Sequence, residues 1–174
     1  MTIKRIILSF IILISSLSAF AGGIGTWKSY LSYANIQWVE QGGNRLYVLA
    51  SNALYTYNKA DQSIQTYDKQ NGLSSIDIRF IGWNEVAKRL VIVYEDNNID
   101  LMDAKGNVTN VPDYYLKALT SDKTIYSIDM NGAYCYLSTG FGLVKLNVAK
   151  AEISDSYNLS FPVNYSYLDG SYIY

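Results

Sequence analysis

Three short stretches decide the fold of this chain: residues 45–50 (RLYVLA), 89–94 (RLVIVY) and 133–138 (AYCYLS). Each of the two later stretches begins 44 positions after the one before it. All three are rich in the β-branched and aromatic residues that favour strands. Residues 90–94 are apolar throughout, which is typical of a strand covered on both faces. Strand-forming segments at a fixed spacing indicate a repeat architecture.

Each stretch has the same companions along the chain. A strand is predicted before it, a second strand after a short polar break, and an outer strand after a turn. Four strands within about 40–45 residues are the size of one β-propeller blade. The predicted companion strands are residues 36–39, 54–57 and 64–67 in the first unit, 78–83, 99–102 and 108–111 in the second, and 124–129, 143–146 and 153–156 in the third.

A fourth unit begins near the end of the chain, where residues 169–174 match residues 131–136. We therefore predict an all-β fold, a partial β-propeller of about three and a half four-stranded blades in an incomplete ring. We expect a truncated product of a longer gene or a cut segment, with unpaired edges at the open end. The predicted units are about 24–69, 70–113, 114–157 and the incomplete 158–174.

The first 21 residues have the pattern of a secretory signal peptide. Lys4 and Arg5 form a short basic region, residues 6–17 are mostly apolar, and a small-x-small motif ends at Ala21. We predict cleavage between Ala21 and Gly22. An uncleaved N-terminal anchor is the alternative. The residue directly after the cleavage site is Gly22 rather than a cysteine, and no second apolar stretch is long enough to span a membrane, so residues 22–174 are expected to be exported without a lipid anchor or a span.

Composition narrows the function classes. Without Lys4 and Arg5, 12 basic residues face 15 acidic ones, a net charge of −3. Nucleic-acid binding needs clustered Lys and Arg, so we expect no nucleic-acid partner. The chain has no histidine, the commonest general base and metal ligand. Cys135 lies in an apolar run and is predicted to be a buried core thiol. No metal and no cofactor is expected.

Several acidic residues are candidates for calcium binding or for catalysis. The spacing of Asp96, Asp100 and Asp103 does not fit a calcium loop, so we interpret them as solvated turn carboxylates. Sugar-cleaving enzymes use two carboxylates, and three acids are candidates for such a pair: Asp77, Glu95 and Asp129. Because the acids of every unit favour turns and no catalytic constellation is recognisable, we predict no catalytic residues and no enzyme.

A glycine-containing segment and the tyrosine and lysine side chains are candidate binding features. Residues 140–142 (GFG) follow a strand, but no helix begins after them, so they are interpreted as a tight connection between strands. Tyrosines suit sugars and protein partners, yet 17 of them are ordinary in strands. Four lysines could meet anionic glycan phosphates, although nothing in the sequence clusters them: Lys28, Lys59, Lys117 and Lys123. The binding residues therefore stay unknown at this stage.

Several motifs resemble a known family. Residues 71–75 (NGLSS) and 136–144 (YLSTGFGLV) resemble the propeller repeat of two-component regulators. Residues 27–33 (WKSYLSY), 97–101 (NNIDL) and 122–125 (DKTI), in the same order, make the mature chain similar to the N-terminal propeller of PorZ-like proteins.

This resemblance implies a cell-surface or outer-membrane module of the type IX secretion system of the Bacteroidetes. Members of the family have two tandem propellers and a C-terminal export domain. They are expected to bind anionic lipopolysaccharide and to work with the sortase complex, so envelope proteins are the implied partners. Compared with that pattern, residues 1–174 are expected to cover only part of the first propeller, without the rest of it, the second propeller or the export domain. A periplasmic ligand-sensing propeller of a hybrid two-component regulator and a carbohydrate-active enzyme propeller are the alternatives.

Overall fold

The computed structural model describes residues 30–169 and 172–174. The predicted signal peptide, its cleavage point between Ala21 and Gly22, and Lys28 lie outside the described residues.

The described chain forms three four-stranded antiparallel sheets, and in each of them the strand order follows the sequence. Blade 1 contains β1 (Ile36–Gly42), β2 (Arg45–Ala50), β3 (Ala53–Asn58) and β4 (Ile64–Tyr67). Blade 2 contains β5 (Ile78–Asn84), β6 (Arg89–Tyr94), β7 (Ile99–Asp103) and β8 (Val108–Asn110). Blade 3 contains β9 (Ile125–Asn131), β10 (Tyr134–Thr139), β11 (Gly142–Asn147) and β12 (Glu152–Asn158).

Two smaller elements complete the described structure. A single helical turn, α1 (Asp113–Leu116), lies between blades 2 and 3, with Pro112 at its N-cap position. A short hairpin of β13 (Leu168–Asp169) and β14 (Tyr172–Ile173) follows blade 3. The all-β, partial-propeller prediction is confirmed, whereas α1 was not predicted because four residues are too few to show a helical period.

The core consists of two layers, one between each pair of neighbouring blades. Strand β6 contributes to both because its side chains alternate between its two faces. Val91 and Val93 pack towards blade 3 with Leu137, whereas Leu90 and Ile92 pack towards blade 1. All four β6 side chains are fully buried, and each contributes about 1.5–3 kcal/mol to folding. The predicted burial of this strand on both faces is thus confirmed.

The first strands of the blades lie side by side, which places them at the inner edge of the stack. The ring of Trp83 in β5 stacks on Tyr47 in blade 1, with centroids 5.3 Å apart. On the opposite face of β5, a Cβ atom on Gly82 would lie 2.6 Å from the Cε atom of Met130 in β9. Close packing on both sides of β5 therefore brings β1, β5 and β9 together around one cleft.

Candidate functional site

A cavity of about 590 Å³ opens where these three inner strands meet. We call it the axial cleft. Its volume is within the range of small-molecule and peptide-side-chain sites. Aromatic rings and charged groups line it together. The principal lining residues are Trp38 and Glu40 from β1, Arg79 and Phe80 from β5, Asp129 from β9, and Tyr165 from the segment before β13.

Two aromatic side chains present open surface at the cleft. The indole N–H of Trp38 donates a hydrogen bond to Oε1 of Glu40 at 2.7 Å. This bond fixes the indole, yet 57% of Trp38 remains exposed. Tyr165 is 70% exposed. Because aromatic residues combine a large apolar face with a polar edge, these side chains can contact a ligand without much loss of side-chain freedom.

The positively charged side chain at the cleft, Arg79, already has an ion-pair partner. One guanidinium nitrogen of Arg79 lies 3.4 Å from a carboxylate oxygen of Glu95. The guanidinium also lies over the ring of Phe80, 5.4 Å from its centroid. Arg79 therefore bridges β5 and the turn that follows β6, and its charge is balanced within blade 2.

The negative charge of the cleft is not balanced in this way. Within residues 30–169 and 172–174, the ion pairs are Arg79–Glu95, Lys88–Glu85 and Lys150–Glu152. Neither Glu40 nor Asp129 takes part in any of them. With Arg79 bound to Glu95, the axial cleft has an excess of carboxylate charge next to open aromatic faces.

A second cavity, of about 360 Å³, lies at the rim of blade 3 between α1 and β12. Lys117 and Leu119 line its mouth. The ammonium group of Lys123 donates hydrogen bonds to the backbone carbonyls of Tyr115 and Lys117, both at 2.8 Å. Its partial burial lowers the pKa of Lys123. The structure thus places Lys117 and Lys123 together on one loop, which the sequence did not predict, while Lys59 lies apart, in the β3–β4 turn of blade 1.

The interpretation of Asp100 as a solvated turn carboxylate is wrong. Asp100 lies in β7 and is 0% exposed. Its carboxylate accepts hydrogen bonds from the Tyr94 hydroxyl at 2.6 Å, the Ser74 backbone N–H at 2.8 Å and the Asn110 side-chain amide at 2.8 Å. A buried carboxylate needs such partners, so Asp100 is a structural anchor that ties residue 74 to blade 2.

Of the other two acids of that group, Asp96 lies in the turn between β6 and β7, and Asp103 is the last residue of β7, where the next turn begins. Asp103 accepts the backbone N–H groups of Lys105 and Asn107, and these bonds contribute to lowering its pKa against the opposing effect of desolvation. Asp96 accepts a bond from the Ser75 hydroxyl. In the described part of the chain, no group of three potential ligands could hold a metal ion.

Of the three candidate acids for a sugar-cleaving pair, Asp77 and Glu95 are neighbours through a backbone hydrogen bond, and Asp129 lies in blade 3. Glu95 is held by Arg79, the backbone carbonyl of Asp77 accepts the N–H of Glu95, and Asp129 lies on β9 in the axial cleft. The expectation that acids favour turns in every blade is wrong, because Asp100, Asp129 and Asp155 are all in strands.

Two plain interpretations are confirmed. Residues 140–142 join β10 to β11, as a tight connection should. Cys135 is 0% exposed in the core between blades 2 and 3, and burial raises the pKa of its thiol well above the usual range. A thiol in this state is unreactive, since the thiolate is the nucleophile.

Sequence reasoning missed the residues that form the axial cleft. Trp38, Glu40 and Arg79 were not singled out, although Trp38 and Glu40 share one face of β1 by their two-residue spacing. That spacing is the signal from which this pair could have been found. The sequence does not show which neighbouring blade this face of β1 meets, because that depends on how the blades stack.

The family profile described as the N-terminal β-propeller domain of PorZ of the type IX secretion system matches residues 46–174. A solved structure of PorZ from Porphyromonas gingivalis, described as an essential bacterial surface component of that system, is 33% identical with a TM-score of 0.71. The match covers 76% of this chain and 18% of that one. Among curated proteins, none matches this chain.

More distant structures share the fold alone. The extracellular domain of a putative one-component system from B. thetaiotaomicron is 15% identical with a TM-score of 0.61, covering 84% of this chain and 20% of that one. AztD from Citrobacter koseri is 14% identical with a TM-score of 0.61, covering 80% and 40%. Among residues 30–169 and 172–174, no helix has the length and apolar character needed to cross a membrane.

The family profile spans most of the chain and includes all the strands of blades 2 and 3. The predicted resemblance is confirmed by it and by the 33% identity with a solved propeller of the same type. This chain belongs to the family of PorZ N-terminal β-propeller domains.

Proposed function

We propose that this chain is a non-enzymatic interaction module at the bacterial cell surface, accessory to type IX secretion. The observation that carries the proposal is the family match over residues 46–174 together with 33% identity to a surface component of that system. This chain covers 18% of that component. We therefore propose that it acts as one part of a larger assembly.

The side chains of the axial cleft support binding rather than catalysis. Open aromatic surface, a fixed carboxylate at Glu40 and an engaged guanidinium at Arg79 are features of recognition sites. Of the candidate acids, the carboxylate of Glu95 is paired with Arg79. The solved structure that this chain resembles at 33% identity is described as a surface component of a secretion system, not as an enzyme.

Export and partners follow from the same proposal. The predicted signal peptide would direct residues 22–174 out of the cytoplasm, with Gly22 as the first mature residue. At the outer membrane, the module would contact envelope proteins of the secretion machinery, including the sortase complex, and anionic lipopolysaccharide. Mass spectrometry of the exported protein tests the first step: a mature N-terminus at Gly22 supports it, and a retained Lys4–Arg5 region contradicts it.

A periplasmic ligand-sensing propeller of a hybrid two-component regulator is the second candidate. The extracellular domain of such a regulator from B. thetaiotaomicron shares the fold, at 17% identity and a TM-score of 0.61. In that case the polypeptide that carries these residues would continue into a transmembrane helix and a histidine kinase. A second propeller and an export domain would favour the secretion module instead.

A pull-down with the complete exported protein tests the proposed function. Solubilised outer membranes of the native bacterium supply the prey, and the extracellular propeller of a two-component sensor serves as the matched control bait. We expect this protein, but not the control, to recover secretion-machinery proteins and lipopolysaccharide. Equal recovery by both baits, or none by either, contradicts the proposal.

A further inference from the structure

The axial cleft combines three features that together define a ligand class. The first is the aromatic surface of Trp38, whose indole N–H is bound to Glu40 at 2.7 Å. Large aromatic residues are highly buried on average, yet 57% of Trp38 and 70% of Tyr165 are exposed. A fixed ring with an open face is suited to stacking against a flat or cationic group.

The second feature is charge. Glu40 and Asp129 have no ion-pair partner among the described residues, whereas the guanidinium of Arg79 lies 3.4 Å from Glu95. An anionic ligand would therefore meet two carboxylates and a guanidinium that already pairs with Glu95. A cation over the face of Trp38 would instead be attracted both by the ring and by the neighbouring carboxylate of Glu40.

The third feature is backbone. Strands β1, β5 and β9 each lie at the edge of their sheets, with β2, β6 and β10 on their other side. A strand edge offers N–H and C=O groups that pair with an extended peptide. Because these backbone groups can pair with the backbone of a peptide, they favour a polypeptide over a free amine as the ligand.

We propose that the axial cleft binds a lysine or arginine side chain presented by an extended segment of a protein partner. The inference deepens the proposed function and rests on it, because it names the chemistry of the partner for this site. It also assigns anionic lipopolysaccharide to another surface of the assembly. Trp38 and Glu40 provide the cation site, and Asp129, which also lines the cleft, adds negative charge.

Titration of the complete exported protein with two acetylated, amidated tetrapeptides, tetralysine and tetraglutamate, tests the site. We expect tetralysine to bind and tetraglutamate not to bind. Trp38→Ala and Glu40→Gln should each weaken tetralysine binding about tenfold. Glu152→Gln is the matched control. It changes the net charge by the same amount as Glu40→Gln, but it removes an exposed carboxylate at the rim of blade 3. It should leave the affinity within about twofold.

Cleft variants that bind tetralysine as tightly as the Glu152→Gln protein overturn the inference, since binding would then reflect net charge alone. Glu40→Gln keeps the shape of the side chain, so it remains informative if Trp38→Ala fails to fold. Acrylamide quenching of the complete protein and of Trp38→Phe gives a second test: a shielded Trp38 contradicts an open cleft.

The pull-down separates this inference from the proposed function. If the wild-type protein recovers secretion proteins and the cleft variants recover them equally, the basic-segment site is wrong and the function stands. If the wild-type protein recovers nothing, the proposed function itself fails. If the cleft variants lose the protein partner but still bind lipopolysaccharide, both the inference and the proposed function are supported.

Discussion

At the scale of single residues, the buried Asp100 carboxylate is the strongest polar anchor of blade 2. Three donors converge on it, from Tyr94, Ser74 and Asn110. We expect Asp100→Ala to lower the free energy of unfolding by about 2–4 kcal/mol, because it leaves buried donors unpaired. Urea unfolding measures this effect. Glu152→Ala, an exposed change, should stay within about 0.5 kcal/mol, and equal effects of the two would contradict the anchor role.

Two buried tyrosines make a matched pair for a second prediction. The Tyr94 hydroxyl donates to Asp100, whereas the buried hydroxyl of Tyr47 has no hydrogen-bond partner within the described residues. Tyr94→Phe should therefore destabilise the protein by about 1–3 kcal/mol, and Tyr47→Phe should be neutral or stabilising by up to about 1 kcal/mol. Thermal unfolding distinguishes them. A greater loss for Tyr47→Phe would contradict the assigned contacts.

Alkaline pH gives a third prediction at this scale. Burial and the adjacent Asp100 carboxylate raise the pKa of Tyr94 well above its ordinary value. Above a pH of about 10 the unfolded chain releases this proton and the folded chain keeps it. The free energy of unfolding therefore falls as pH rises, by up to about 1.4 kcal/mol per pH unit from this group. Tyr94→Phe should make the fall shallower in urea titrations, and an unchanged slope would contradict the linkage.

At the scale of elements, the hairpin between β10 and β11 depends on one backbone conformation. Gly142 has a φ of 144°, and a Cβ atom there would lie 2.1 Å from the backbone oxygen of Tyr157 in β12. We expect Gly142→Ala to cost about 2–4 kcal/mol, by strain and by displacing β12. Gly132→Asn is the control, because that site has φ +57° with open space and asparagine tolerates this region. Circular dichroism during urea unfolding measures both variants.

Much at this scale was predictable from local pattern. The expected strand at residues 45–50 coincides with Arg45–Ala50, while the one expected at 124–129 became Ile125–Asn131. Strand ends shift because pairing with a neighbour, rather than propensity, decides where a ladder stops. The helical turn Asp113–Leu116 escaped notice, since its only marker was Pro112 before a segment with no apolar period.

At the scale of the whole molecule, apolar side chains remain exposed at both ends of the blade stack. Val39 in β1 and Phe161 beyond β12 are each about half exposed. Residues 22–174, expressed as such, should therefore self-associate as concentration rises, and more strongly at high salt, since apolar contacts are not screened. Analytical ultracentrifugation over a concentration series tests this. A monomer at every concentration would contradict it.

The sequence alone determined that this chain stacks four-stranded blades, because a strand period of two and a spacing of 44 residues are local patterns that survive without coordinates. It also determined the family. Only the tertiary structure decided that Asp100 is buried and that Trp38, Arg79 and Asp129 share a cleft. These residues belong to three different blades, and the packing of each blade against the next sets which side chains meet.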